Sequence, residues 1–335
     1  MKKRFIYFII LAIIFLTSCE NENKSTVNAS EESIEPLNTT IVGGRVGGSW
    51  SVFAEGIAES IRRENEGAII TVEPGGIVEN PLKVATGLVP YGLSYAMTSY
   101  AAYTGEEPYD QPYKDIRAVS VVIPGNYYQF VVSEDVPYHS FEEMAQQQAP
   151  IRLAVDQKGT AGEIITRKVL QEYGISYEDI LSWGGSVDYL SGSKTFEMMA
   201  DNRIDATGDA VSAPSSDIIE ASTIMNLKIL PLSEEVIQGV SEELDMNRGT
   251  IDKSSYSFLQ EDVETVSTPA ILIAHKDASM EEVYQITEAI YENLDYLRTV
   301  HSEFKNLSME NMMNVGNVPL HPGAEKFYRE KGMLP

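Results

Sequence analysis

The chain has 335 residues with one cysteine, and 50 acidic against 25 basic side chains give it a formal net charge of −25. A single thiol excludes an intramolecular disulfide, a thiolate metal cluster and dithiol redox chemistry. The acidic balance argues against nucleic acid as a partner, because neutralising phosphates requires a basic surface. With 43% hydrophobic residues, the chain is long enough for one large or two medium α/β domains.

The amino-terminal residues predict a compartment. Lys2, Lys3 and Arg4 precede an apolar run over residues 5–16 that is too short to cross a bilayer as a helix and suits the core of a signal peptide. Leu16-Thr17-Ser18-Cys19 then reads as a bacterial lipobox. Residues 1–18 are expected to be a lipoprotein signal peptide, and Cys19, the new amino terminus, to carry the acyl chains. Each buried methylene contributes about 0.8 kcal/mol, so two or three chains anchor a protein firmly where one holds it marginally. The expected location is extracytoplasmic, at the bacterial cell membrane. Residues 19–37 are polar and charged, with too little apolar surface to fold alone, and predict a flexible tether.

From residue 38 onward, short β-rich runs alternate with helical patterns. The first predicted strand, 39–42, enters the turn Gly43-Gly44-Arg45-Val46-Gly47-Gly48-Ser49-Trp50 and then a helix with Val52, Phe53, Ile57 and Ile61 on one face. A strand over 68–73 leads to the turn Glu73-Pro74-Gly75-Gly76-Ile77-Val78-Glu79-Asn80 and a helix capped by Asn80, opened by Pro81 and ended by Gly87. Strands follow at 91–96, 117–123, 127–133 and 152–155. The last runs into a second glycine turn, Lys158-Gly159-Thr160-Ala161-Gly162-Glu163, and a helix whose Ile165, Val169, Leu170 and Tyr173 share a face before Gly174. Residues 204–207, 227–232 and 266–274 complete the predicted strands. The alternation predicts an α/β fold of parallel sheets covered by helices on both faces. The long apolar runs at 127–133 and 266–274 bracket a central block, so two sheets in two lobes are expected: residues 38–128 with 266–335, and residues 129–265.

Glycine-rich turns between a strand and a helix bring backbone N–H groups close to a ligand, and the helix start adds partial positive charge. An anion gains about 0.3–1 kcal/mol from that dipole beside its hydrogen bonds. Gly47, Gly48, Ser49 and Trp50 in one turn, and Thr160, Ala161 and Gly162 in the other, are therefore candidate clamps facing one another across a cleft between the lobes. Glu79 and Asn80, where the 73–80 turn opens into its helix, are further candidate contacts, Asn80 with its capping role besides. Trp50 and Tyr95 offer aromatic walls for a carbon skeleton. Thr207, Asp209 and Ser212, at and after the end of the 204–207 strand, are candidate contacts from the second lobe. His139, His275, His301 and His321 are scattered, with no HExxH helix, nucleophile elbow or calcium-loop spacing around them. No catalytic residue, metal or cofactor is expected. Two other readings remain open on the same fold: a surface enzyme and a ligand-sensing lipoprotein.

Several segments carry a family resemblance: 41–50, the Gly75-Gly76-Ile77-Val78-Glu79-Asn80 turn, Ala101-Ala102-Tyr103-Thr104-Gly105, 159–163, Asp205-Ala206 and Thr268-Pro269-Ala270. The most specific is the tail His321-Pro322-Gly323-Ala324-Glu325-Lys326-Phe327-Tyr328. From about Thr40 to its end the chain resembles the TAXI solute receptors of tripartite ATP-independent periplasmic (TRAP) transporters. The resemblance implies a two-lobed, type II periplasmic-binding fold that closes on a small solute and delivers it to TRAP permease subunits, driven by an ion gradient and not by ATP. It implies glutamate and related carboxylates as ligands, and a structural His321. The family has Gln-Ser-Asp after the third strand where this chain has Tyr95-Ala96-Met97, and a first-loop tyrosine pair where this chain has Ser49-Trp50. The departures remove an acid that pairs with a ligand amine and add apolar surface, Met97 included. They imply a larger or more apolar carboxylate than glutamate, with Glu79 or Asp209 taking over any ammonium contact. A monomer is expected.

Overall fold

The first strand, β1 (Asn38–Val42), pairs in parallel with β2 (Ile69–Glu73) and β3 (Tyr91–Tyr95), and α1 (Ser49–Glu64) and α2 (Glu79–Ala85) make the crossovers. The computed structural model describes residues 36–190 and 192–334; the expected signal peptide, Cys19 and the expected tether as far as residue 35 lie outside the described residues. α3 (Ala96–Thr104) starts directly on β3 and leads to the long β4 (Ile116–Ser133). A central block follows: α4 (Phe141–Gln147), β5 (Arg152–Val155), α5 (Ala161–Glu172), α6 (Tyr177–Ser182), β6 (Ser186–Tyr189), α7 (Ser193–Ala200), β7 (Ala206–Val211), α8 (Ser216–Ser222), β8 (Leu227–Leu230), α9 (Glu234–Leu244) and β9 (Asn247–Ile251). β10 (Val263–His275), α10 (Met280–Glu292), α11 (Leu294–Val300) and α12 (Pro322–Glu330) complete the chain.

The strands form one hydrogen-bonded path, β2-β1-β3-β10-β4-β7-β5-β6, with β8 beside β4 and β9 beside β10. This corrects the expectation of two separate parallel sheets. β4 and β10 are antiparallel to each other, β10 is antiparallel to β3, and β4 is antiparallel to β7; the β1–β2, β1–β3, β5–β6 and β5–β7 pairs are parallel. The predicted strands 117–123 and 127–133 are one strand, buried along most of its length. β10 pairs with β9 through Ser267 and with β3 from Ala270 onward. Between them Pro269 has no N–H to give the ladder, and the pairing with β4 shifts register there. The two long strands thus join a half built on β1–β3 to a half built on β5–β9.

The helices bury the faces that their spacing predicts, Phe53, Ile57 and Ile61 in α1 and Ile165, Val169 and Leu170 in α5. Gly174 takes φ +72° just beyond α5, where a left-handed residue ends a helix. At the tail, His321 caps α12 by accepting from the Gly323 amide at 3.2 Å, and the Tyr328 hydroxyl donates to Val119 O at 2.9 Å. α2 departs from expectation. It begins at Glu79 with Val78 as its cap residue, and Asn80 is its second residue, not its cap. β7 runs to Val211, which places Thr207 and Asp209 within the strand.

Candidate functional site

The two glycine turns meet at one cavity of about 460 Å³. Gly44, Arg45 and Gly48 to Trp50 line it before and within α1, with Gly75 to Glu79 and Tyr95 beside them. Opposite stand Asp156 and Gln157 at the carboxyl end of β5, Thr160 to Gly162 at the start of α5, and Asp209 to Val211 of β7.

Close backbone approach builds the first wall. A Cβ on Gly44 would stand 2.3 Å from Trp50 Cβ, so only glycine lets the turn fold back on this tryptophan. The Trp50 ring then meets Tyr95 edge-on, with centroids 5.0 Å apart at 87°. Tyr95 is 6% exposed, and its hydroxyl donates to Ala210 O at 3.0 Å, a bond from β3 to β7. Gly48 is the cap residue of α1 and Thr160 that of α5, yet no side chain caps either helix. Thr160 Oγ1 donates to Gln157 O at 2.7 Å instead. The first-turn amides of both helices therefore keep their partial positive charge for solvent or a solute.

Asp209 lies against the start of α5, since a Cβ on Gly162 would stand 2.3 Å from Asp209 Oδ1. That oxygen also accepts from the Ala210 amide at 2.7 Å. Desolvation, and next the negative charge of Asp156, push the Asp209 carboxyl up to about 7, against the opposing pull of the Ala210 hydrogen bond. Desolvation also raises the Tyr95 hydroxyl well above its ordinary value, which keeps it a neutral donor.

Gly48, Ser49, Trp50, Glu79, Tyr95, Thr160, Ala161, Gly162 and Asp209 all line this cavity. The other five candidates do not. Gly47 takes φ +82° at the exposed tip of its turn. Asn80 is fully buried and its amide is already used: Nδ2 donates to Gly43 O at 2.8 Å and Leu93 O at 2.7 Å, and Oδ1 accepts from the Gly76 amide at 3.1 Å. It holds the turn and is not offered to a solute. Met97 is 3% exposed and borders a different cavity with Tyr100, Ile164 and Arg167. Thr207 lines a smaller space on the far side of Asp209, and Ser212 borders another with Ser302 and Glu303. Both fall outside because β7 extends past the expected strand end.

Arg45 and Asp156 were missed as contacts. Arg45 stands in the turn singled out by its glycines, and it is the one cationic side chain among the described residues lining the cavity. Asp156 directly follows β5, and that position at the carboxyl end of a parallel strand is the signal that marks it.

Proteins of known structure share this fold. MatC from Rhodopseudomonas palustris, solved with bound malate, is 12% identical, with a TM-score of 0.51 over 89% of this chain and 99% of its own. PhnD1 from Prochlorococcus marinus, solved with methylphosphonate, is 9% identical, with a TM-score of 0.53 over 89% of this chain and all (100%) of its own. A TctC solute binding protein from Polaromonas is 17% identical, with a TM-score of 0.51 over 89% and 98% of the two chains. At such identities the likeness is one of fold, the two-lobed α/β periplasmic-binding architecture. The model of the NMT1-like family matches residues 41–332, a span that takes in both glycine turns and the closing α12, and the chain belongs to that family.

Proposed function

We propose that the protein is the extracytoplasmic, lipid-anchored solute-binding subunit of a TRAP-type secondary transporter, which captures a small carboxylate or amino-acid-like solute and delivers it to the membrane permease. The observation that carries this reading is the convergence of two helix starts without side-chain caps, α1 and α5, on one cavity. Its volume of about 460 Å³ suits a metabolite. Amides and Arg45 attract an anion, while Trp50 and Tyr95 pack on its carbon skeleton. The malate and methylphosphonate of two proteins with this fold are both small anions.

In this reading residues 38–128 with 266–335 form one lobe and 129–265 the other. They hinge at the paired strands β4 and β10, and Cys19 carries the lipid, as the Leu16-Thr17-Ser18-Cys19 lipobox implies. The solute is held by hydrogen bonds and packing and leaves unchanged.

Native mass spectrometry of protein purified without refolding tests the reading directly, with a retained small solute as the expected result. Trp50→Ala weakens binding of that solute by about ten-fold or more in calorimetry, one decade being about 1.4 kcal/mol. Turnover of a metabolite on incubation with the protein sinks the receptor reading in favour of an enzyme. Cys19→Ala is expected to release the protein from the membrane fraction, and retention there removes the lipid anchor.

A further inference from the structure

One wall of the solute cavity brings together an anion clamp and an acid. The first-turn amides of α5, which no side chain caps, face the cavity that is to hold the solute's anionic group. Asp209 Oδ1 already stands against that turn, 2.3 Å from where a Cβ on Gly162 would be, and Asp156 lines the same wall. An anion clamped by α5 therefore meets the Asp209 carboxylate at close range. Two such charges side by side are costly, and binding a proton at one of them removes the repulsion. Asp209 is placed to take it. Among the described residues, the hydrogen bond to its carboxylate reaches Oδ1, from the Ala210 amide at 2.7 Å, and none reaches Oδ2. A proton on Oδ2 leaves the Ala210 bond intact and makes the side chain a donor. The surrounding groups supply no cation in its stead. Asp156 after β5 and Asp217 of α8 add negative charge, while burial keeps the hydroxyls of Tyr95 in β3 and Tyr128 in β4 neutral. Glu163, in the first turn of α5, is paired with Arg167 at 3.1 Å, and Arg45 and Glu79 line the opposite wall. Desolvation, and next Asp156, bring the Asp209 carboxyl up to about 7, so an arriving anion completes a protonation already under way at neutral pH.

We infer that Asp209 is a proton site of the receptor: when an anionic solute enters, Asp209 takes one proton from solvent on Oδ2 and donates the resulting O–H to the solute's anionic oxygen. The inference rests on the receptor reading above and adds that solute anion and proton are captured together. No bond of the solute forms or breaks. Because capture consumes a proton, affinity falls as pH rises above the midpoint of the free protein.

The full chain, solubilised in detergent, is titrated by calorimetry with malate, glutarate and butyrate at pH 8, in Tris and in triethanolamine, whose heats of ionisation differ. The titrations are repeated at pH 6 in bis-tris and in imidazole. The tightest binder of the three is expected to take up roughly one-half to one proton per molecule at pH 8 and little at pH 6, and to bind about ten-fold more weakly at pH 8. Asp209→Asn keeps the shape of the side chain and a donor, so it should bind with no uptake and with equal affinity at the two pH values. Asp156→Asn leaves Asp209 in place and should retain uptake. Equal heats in the two pH 8 buffers for the native protein overturn the proton site and leave the receptor reading standing. Uptake retained by Asp209→Asn overturns the assignment to Asp209, as does a folded Asp209→Asn that no longer binds. Binding of none of the three anions overturns the proton site and the carboxylate receptor together.

Discussion

Asp209 is a desolvated carboxylate with the charges of Asp156 and Asp217 nearby. Its proton-binding midpoint near 7 in the folded protein stands above the ordinary value of about 3.9 that the unfolded chain offers. The folded state therefore holds a proton that the unfolded state has released, and stability from this group is full below about pH 4 and is lost as pH rises through 7. Asp209→Asn removes the penalty. It should raise the urea midpoint clearly at pH 8 and much less at pH 5, the difference being at most on the order of 2–3 kcal/mol, since one unit is worth about 1.4 kcal/mol. A gain larger at pH 5 than at pH 8 refutes the assignment. Asn80 shows what sequence leaves out at this scale. Asn before Pro reads as a cap, and that pattern is local, whereas its real partners Gly43 O and Leu93 O lie 37 and 13 positions away. Asn80→Ala strands two buried carbonyls and the Gly76 amide, and is expected to cost about 2–4 kcal/mol in chemical unfolding. A cost below about 1 kcal/mol contradicts the structural role.

Elements whose signal is local were legible. The apolar stripes of α1 and α5 repeat at helical spacing, and the glycine turns before them announce close backbone approach, so both walls of the cavity were readable. β6 (SVDY) and β9 (NRGTI) were not, because β6 is short and half-buried without an apolar run, β9 is mostly polar and exposed, and only pairing with β5 and β10 makes them strands. Gly162 tests the element scale. A methyl there meets Asp209 Oδ1 at 2.3 Å and Asp156 Cβ at 3.2 Å, so either the Asp209 carboxylate or α5 must give way. Gly162→Ala should lower stability by about 1–3 kcal/mol, the usual cost of overpacking, and should weaken solute binding as the carboxylate or the α5 amides leave their place. Unaltered binding with lowered stability shows that α5 supports the fold without touching the solute.

At the scale of the whole molecule, β4 and β10 pass between the halves, and Pro124 reads as a strand end in sequence although β4 continues past it, whereas the expected strand 266–274 already ran through Pro269. The continuity of β4 was therefore hidden by a residue that only interrupts its ladder. Besides the Ser212–Glu303 hydrogen bond, three contacts away from these strands bridge the halves. Tyr95 donates to Ala210 O, Arg167 reaches Glu107 at 2.8 Å, and Asn317 bonds to Asp245. Arg167–Glu107 is solvent-exposed on the Glu107 side and is worth under about 1 kcal/mol. The buried Tyr95 bond contributes about 0.5–1.5 kcal/mol and stands at the cavity itself. Tyr95→Phe keeps the ring against Trp50 and deletes this bond alone, so the two halves should part more readily. The expected result is a rise of about two- to ten-fold in the rate of solute release, following that energy, read by stopped-flow tryptophan fluorescence with Trp183→Phe in both proteins, so that Trp50 alone reports. The association rate should change less than the release rate, because the bond joins the two halves across the cavity and so acts on their parting. A variant with both rates unaltered shows that Tyr95 packs the wall without holding it shut, and the clasp is then left to the Arg167, Asp245 and Ser212–Glu303 contacts away from the cavity.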